Sequence, residues 1–188
     1  ILPENYLTEV AKSLNDDYVD CFGGPDAMLP NFSAVQKAIN FSMTSMLTTG
    51  GIRGGSEKIE KFQPRSFNMG ISRKAFEASK GFSNIHPGED PDLSIRLWKL
   101  GFKTKLISSA FVYHKRRIDW EKFYIQVTKF GKARPILNYW YPEYAKPTFF
   151  LPSLFVLGLF LGIIAFLLNS HLILQLYFVY TVLIFIVS

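Results

Sequence analysis

No Asp, Glu, Lys or Arg occurs after Lys146: all 36 charged residues, 21 basic and 15 acidic, lie at or before that position. A stretch as long as residues 147–188 without one charged side chain has no solvated face, so the chain divides into a polar domain and an apolar tail. Cysteine is almost missing as well. Cys21 stands alone within the apolar stretch Tyr18 to Phe22, which excludes an intramolecular disulfide and fits a core position in a reducing compartment. Internal repeats and low-complexity stretches are lacking. So is any charged-then-apolar leader; with Ile1 in first place rather than Met, and an apolar tail that stops abruptly, the sequence reads as part of a longer protein.

The tail itself is informative. Phe149 to Leu168 forms a run of about 20 apolar residues, which at about 1.5 Å per residue matches a hydrocarbon core of about 30 Å. Asn169, Ser170 and His171 interrupt it, and Leu172 to Val187 resumes it. The expected arrangement is a transmembrane region over residues 147–188, with spans at about 149–168 and 172–188, the second cut short. A buried helical hairpin of a large soluble protein is the alternative, but such helices normally carry a polar face and neither segment has one. Lys129, Lys132, Arg134 and Lys146 precede the first run, and no Lys or Arg follows it. The positive-inside rule then places the polar domain in the cytoplasm, integral to the cytoplasmic membrane.

A net charge of +6 raises the question of nucleic acid. The basic residues concentrate just before the apolar tail, however, where anionic lipid headgroups or a diphosphate are simpler partners, so no nucleic-acid partner is expected.

Helical and extended patterns alternate through the polar part, which predicts an α/β or α+β domain. Pro3 to Leu14 places Tyr6, Leu7, Val10, Ala11 and Leu14 on one helical face. Asp17 to Phe22 reads as a strand closed by Gly23, Gly24 and Pro25. Ser33 to Leu47 reads as a helix whose Ser33 can cap its own amides. Thr48 to Gln63 is a predicted loop containing Thr49-Gly50-Gly51-Ile52-Arg53-Gly54-Gly55; it matches neither a P-loop nor a dinucleotide fingerprint, and a mobile active-site loop explains it equally well.

Pro87-Gly88-Glu89-Asp90-Pro91-Asp92-Leu93 is chemically the most pronounced segment. Leu93, Leu97 and Leu100 at i, i+4 and i+7 predict a helix, with Pro91 as first residue and Asp90 as its cap. Asp90 then has a structural role, accepting hydrogen bonds from the free amides for about 1 kcal/mol. It, or Glu89, also has a chemical one: a carboxylate at a cleft edge can take the proton of a substrate hydroxyl, a contribution of about 10² to 10⁴ in rate. The two roles are compatible.

Gly101 ends that helix, and Lys103 to Tyr113 reads as a strand delivering His114, Lys115, Arg116 and Arg117 at its end, a common place for active groups. His114 is a candidate metal ligand or diphosphate contact, against the plainer reading of a polar surface residue. Asp119 to Ala133 forms an amphipathic helix, with Trp120, Phe123, Tyr124, Val127 and Phe130 along one side, that would lie along a membrane surface. Tyr139, Trp140, Tyr141 and Tyr144 read as an aromatic belt before the first span.

These residues together resemble the processive and membrane-anchored members of glycosyltransferase family 2, and the resemblance covers most of the chain. It implies a partial GT-A catalytic domain over residues 1–118, an interfacial helix and aromatic belt over 119–146, and transmembrane helices after them. In that family the Asp of a Glu-Asp motif is the catalytic base, which here is Asp90 preceded by Glu89. Gln-x-x-Arg-Trp on an interfacial helix is matched in spacing by Gln126, Lys129 and Phe130. Lys cannot make the bidentate fork of Arg, and Phe lacks the indole donor, so both departures count against a processive activity. Phe67 to Arg73, with Asn68 and Gly70, resembles the segment lining the acceptor side, and Gly81-Phe82 fits the approach to the Glu-Asp motif.

The resemblance further implies a divalent metal, Mg²⁺ or Mn²⁺, held mainly by an Asp-x-Asp motif. Ile1 to Leu7 resembles the sequence that follows this motif directly, and Asp16-Asp17 is no substitute. The donor-binding half would lie upstream, leaving the stretch 1–188 inactive alone. The implied activity is inverting transfer of a sugar from a nucleotide-diphospho-sugar donor to a lipid-linked or polysaccharide acceptor at the cytoplasmic membrane face. Asp90 would be the base, His114 a supplementary metal ligand, and Gln126, Lys129 and Arg134 contacts to acceptor or phosphates. Two other readings stay open: a non-catalytic membrane component of a polysaccharide assembly or export system, and a metal-independent transferase using a lipid-linked donor.

Overall fold

Cys21 and Phe22 are neighbours on strand β1 (Cys21–Gly23) and face opposite ways, as successive strand residues must. Cys21 packs with Ala75, Leu93 and Leu97, while Phe22 packs towards Val10, Ile107 and Ala110, so apolar side chains from helical segments cover both sides of the strand. The result is a mixed α/β arrangement with small sheets. The structure, a computed structural model, describes residues 1–27, 29, 31–45, 48, 61–115 and 119–187. Most of the Thr48 to Gln63 loop, and Arg116 and Arg117, lie outside the described residues.

β1 is the middle strand of three. It pairs antiparallel with β3 (Met69–Ile71) and parallel with β4 (Thr104–Leu106), Cys21 standing opposite both Ile71 and Thr104. Beyond Gly24 and Pro25 the parallel pairing resumes between β2 (Asp26–Ala27) and β5 (Val112–Tyr113). The amides of Ile107 and Val112 span the interruption, donating to Gly23 O at 2.8 Å and Pro25 O at 3.0 Å. The single strand expected over Lys103 to Tyr113 is therefore two. A turn closed by Ala110 N to Ile107 O, 3.1 Å, separates them, because Ile107 and Ala110 are both drawn into the core beside Val10. The strand expected from Asp17 likewise begins only at Cys21.

Helix α1 (Tyr6–Asp16) buries Val10, with Tyr6 and Leu14 packed beside it. These residues recur at i, i+4 and i+8, and the expected face was drawn too wide: Leu7 and Ala11 point to solvent. Helix α2 (Ala34–Thr44) starts as expected at Ser33, whose hydroxyl accepts from Gln36 N while the Gln36 side chain accepts from Ser33 N, a capping box worth about 1 kcal/mol. Helices α3 (Arg73–Ser79) and α4 (Glu89–Lys99) supply Ala75, Leu93 and Leu97 to the core around Cys21. Full burial of each leucine stabilises the fold by about 1.5–3 kcal/mol. Leu100, expected on the same face, is the C-terminal cap of α4 and half exposed.

Helix α5 (Trp120–Trp140) begins where Asp119 accepts from Lys122 N at 2.8 Å, and it runs past the expected end at Ala133 and through Pro135. Ala133 and Leu137 are its buried residues, and Trp120, Tyr124 and Tyr139 are exposed. The described chain forms two compact units, Ile1–Tyr141 and Pro142–Ser188.

In the second unit a 3₁₀ turn (Pro147–Phe150) leads into α6 (Leu151–Leu167). Together they make a helix of 21 residues with mean hydropathy 2.5, long and apolar enough to cross a membrane; α7 (Leu172–Val187) is apolar but shorter. The two helices approach closely at Gly158 and Gly162, where an added Cβ would lie 2.4 Å from Tyr177 Oη and 2.8 Å from Ile173 Cγ2. Tyr177 donates to Phe155 O at 2.5 Å. Asn169, at φ 63°, and the bond from Ser170 N to Ala165 O, 2.8 Å, end α6 at the turn expected there.

Candidate functional site

Gly88 sets where α4 begins. Its φ of 125° is one an L side chain rarely adopts, and an added Cβ would stand 3.4 Å from Leu137 Cδ1 of α5. The helix therefore starts at Glu89, one residue ahead of the expected cap at Asp90. No side chain caps it, and Pro91 is tolerated in its first turn, where an amide donor would be orphaned in any case. Asp90 is released from capping and turns to another segment: its Oδ1 accepts from Ser66 N at 3.0 Å.

The electrostatics follow from that placement. Burial raises the Asp90 carboxyl above its ordinary value, against the charge of Arg65 and hydrogen bonds from Ser66, while Glu89 adds a smaller push upward. Arg65 is lowered by burial, partly offset by the carboxylates of Asp90 and Asp26. Arg134, on α5, is lowered by burial and then by the charge of Arg65. Arg134 stands one helical turn before Leu137, which lies beside Gly88, and is near enough to Arg65 to feel its charge.

One further turn along α5, Tyr141 donates its hydroxyl to Asp92 Oδ1 at 2.6 Å. Asp92 is 2% exposed and also accepts from Ser83 Oγ at 2.6 Å and from Arg96 Nε and Nη2 at 3.1 and 2.7 Å. Burial pushes its carboxyl up, but these hydrogen bonds outweigh burial and hold it below the ordinary range. Burial and the Asp92 carboxylate push the Tyr141 phenol up to about 12. Tyr141, expected in the aromatic belt, has its hydroxyl committed to Asp92. Lys99 Nζ lies 4.7 Å from the centre of its ring.

Two residues after Arg65, Phe67 stacks on His114 with ring centres 4.4 Å apart and planes within 4°. His114 Nδ1 lies 3.9 Å from Asp26 Oδ2. Among the described residues two buried side-chain polar atoms have no hydrogen-bond partner, His114 Nδ1 and Glu89 Oε2, although Glu89 Oε1 meets His86 Nδ1 at 3.0 Å. An orphaned imidazole nitrogen beside a carboxylate suits a divalent cation. His114 and Asp26 provide two such donors, and no group of three or more His, Cys, Asp or Glu side chains gathers among the described residues.

Two expected substrate contacts prove to be fold residues. Asn68 is 3% exposed, and its amide is engaged internally: Tyr6 donates to Oδ1 at 2.6 Å, and Nδ2 donates to Ala110 O at 2.9 Å. Gly70 admits the ring of Phe22, which an added Cβ would meet at 2.2 Å. Gln126 is half-buried on α5, whereas Lys129 and Phe130 are exposed, and Arg134 is the basic residue of this helix that joins the cluster. Arg65, Ser66 and Asp26 had no sequence signal: each falls in a short irregular segment without periodicity, and only the tertiary fold brings them to Asp90 and His114. A hollow of about 610 Å³ on α1, lined by Leu7, Thr8, Ala11, Lys12, Asn15 and Asp16, shares no residue with this cluster.

Comparison with curated proteins and with solved structures finds no significant match. A family-level comparison is decisive, because it spans the Asp90 cluster, α5 and the apolar helices in one alignment. The model of the glycosyl transferase family group 2 matches residues 2–188, and the chain belongs to that family.

Proposed function

We propose that the protein is an inverting glycosyltransferase in which Asp90 is the general base. Membership of the family implies a nucleotide-sugar donor and an acceptor in general terms. The observation that carries the finer reading is the tether of Asp90 to Ser66 N at 3.0 Å, with the carboxyl half-buried beside Arg65. Asp90 would take the proton from an acceptor hydroxyl as its oxygen bonds to the anomeric carbon; the bond to the departing nucleoside diphosphate breaks on the opposite face, which inverts the centre. A divalent cation, Mg²⁺ or Mn²⁺, would have His114 and Asp26 among its ligands, and when bound it supplies charge neutralisation for the departing diphosphate. The acceptor is lipid-linked or a growing glycan at the cytoplasmic membrane face. This placement is supported by the 21-residue apolar helix Pro147–Leu167 and by the exposed Trp120 and Tyr124 on α5.

Asp90→Asn in the full-length protein tests the assignment. Sugar transfer should fall about 100-fold or more with the thermal unfolding midpoint unchanged. Transfer within about threefold of wild type, well under what a positioned base contributes, removes Asp90 from that role.

A further inference from the structure

Asp92 is 2% exposed, and its carboxylate ties the first turn of α4 to two other segments. Ser83, which follows α3, donates to Oδ2 at 2.6 Å, and Tyr141, which follows α5, donates to Oδ1 at 2.6 Å. Arg96, one turn further along α4, donates to Oδ2 and also to the carbonyl oxygens of Ser79 and Gly81, where α3 ends. Tyr141 is held by its backbone as well: its amide donates to Leu137 O at 2.9 Å and closes the last turn of α5, and Pro142 next to it opens the second compact unit. A buried carboxylate is costly to place and gives little stability over an apolar side chain of the same volume. What a well hydrogen-bonded one supplies is a single arrangement of the segments that meet at it.

Asp90 and Asp92 share the first turn of α4, about 200° apart around the helix axis, so Asp92 is held on the inner side while Asp90 meets Ser66. A rotation of that turn by about 10° moves a carboxylate about 6 Å from the axis by about 1 Å, a displacement that costs up to about 10² in rate at a reacting group. No side chain caps this helix start, so its rotation rests on the core side chains that follow and on Asp92. We propose that Tyr141 is a positioning residue: through Asp92 it sets the rotation of the first turn of α4, and with it the place of the Asp90 carboxylate. The role of Asp90 as base rests on the glycosyl-transfer reading; the tether from the end of α5 to the start of α4 does not.

The test uses the full-length protein in detergent micelles and compares Tyr141→Phe with Val10→Ala. The second variant destabilises the domain from the cluster around Phe22, Ile107 and Ala110, away from α4. Hydrogen exchange read at the Ser66 amide, whose acceptor is Asp90 Oδ1, should speed about fivefold or more in Tyr141→Phe and less than about twofold in Val10→Ala. Exchange that is unchanged in Tyr141→Phe, or faster to the same extent in both variants, overturns the proposal.

Rate reads the consequence. With the radiolabelled nucleotide sugar that wild type turns over, Tyr141→Phe should lower kcat about tenfold and leave KM for donor and acceptor within about twofold, as lost alignment without lost binding requires. Val10→Ala should keep kcat within about twofold at a temperature where both variants are folded. A kcat within about twofold of wild type in Tyr141→Phe overturns the positioning role. Tyr141→Phe combined with Asp92→Asn should turn over no more slowly than Asp92→Asn alone; losses that multiply show that Tyr141 does not act through Asp92, and overturn it too. Normal kcat in Tyr141→Phe beside an inactive Asp90→Asn removes the positioning role and keeps the base. Normal transfer in Asp90→Asn beside faster Ser66 exchange in Tyr141→Phe keeps the tether and removes the base.

Discussion

Tyr141 donates to Asp92 across 49 positions of sequence, a 2.6 Å bond that joins the last turn of α5 to the first turn of α4. Both ends matter for the site, because Arg134 lies two turns before Tyr141 and Asp90 lies two residues before Asp92. Tyr141→Phe removes the hydroxyl and leaves a buried carboxylate short of one donor. Loss of about 1–3 kcal/mol of stability is expected, read from urea unfolding, and an unchanged midpoint would show that the bond contributes nothing.

Asp92 links the same network to pH. Its folded-state value is depressed, since the hydrogen bonds from Arg96, Ser83 and Tyr141 outweigh burial, so the folded form binds its proton less readily than the unfolded chain. The stabilisation is then fully present above the unfolded value of about 3.9 and is lost as pH falls through the lower folded value. Unfolding midpoints taken between about pH 6 and pH 3 should drop for wild type, and drop less steeply for Asp92→Asn. Parallel curves for the two proteins would assign the acid sensitivity elsewhere.

Asp90 moves the other way, and the readout is rate rather than stability. Burial raises its carboxyl, so the base becomes active at higher pH than an ordinary aspartate. The acid limb of kcat/KM should therefore stand above about 3.9. Arg65→Gln removes the cation that opposes burial and should move that limb further up. A limb that stays in place in the variant separates Arg65 from the ionisation of Asp90.

His114 and Asp26 are predicted to share a cation. His114→Ala and Asp26→Asn should each raise the Mn²⁺ concentration needed for half-maximal transfer about tenfold or more, while leaving the unfolding midpoint in metal-free buffer little changed. Titrations that superimpose on wild type would leave the His114 to Asp26 approach, 3.9 Å, as a structural contact only.

What the sequence revealed, and what it hid, follows the range of the interactions. The capping box at Ser33 and the turn at Asn169 are local, and both stand where the residues place them. The helix of Glu89–Lys99 was legible from its leucines, but its start moved one residue ahead of the expected cap, to follow Gly88 at φ 125°. Periodicity could not break Lys103 to Tyr113 into two strands, since the break comes from Ile107 and Ala110 turning into a core that α1 completes. Asp90 was visible as a candidate because its motif is contiguous. Arg65 was not, because its importance comes from Asp90, Asp26 and Arg134, none of them near it in sequence. Asn68 was misread for the same reason: a conspicuous amide beside a strand looks available until its three partners are known.

That amide bears on how the domain assembles. Asn68 joins Tyr6, Pro25 and Ala110, partners 62, 43 and 42 positions away. Each bond closes a loop of that length, and a buried amide left without its partners costs about 1–3 kcal/mol, so one side chain ties three distant segments of the domain together.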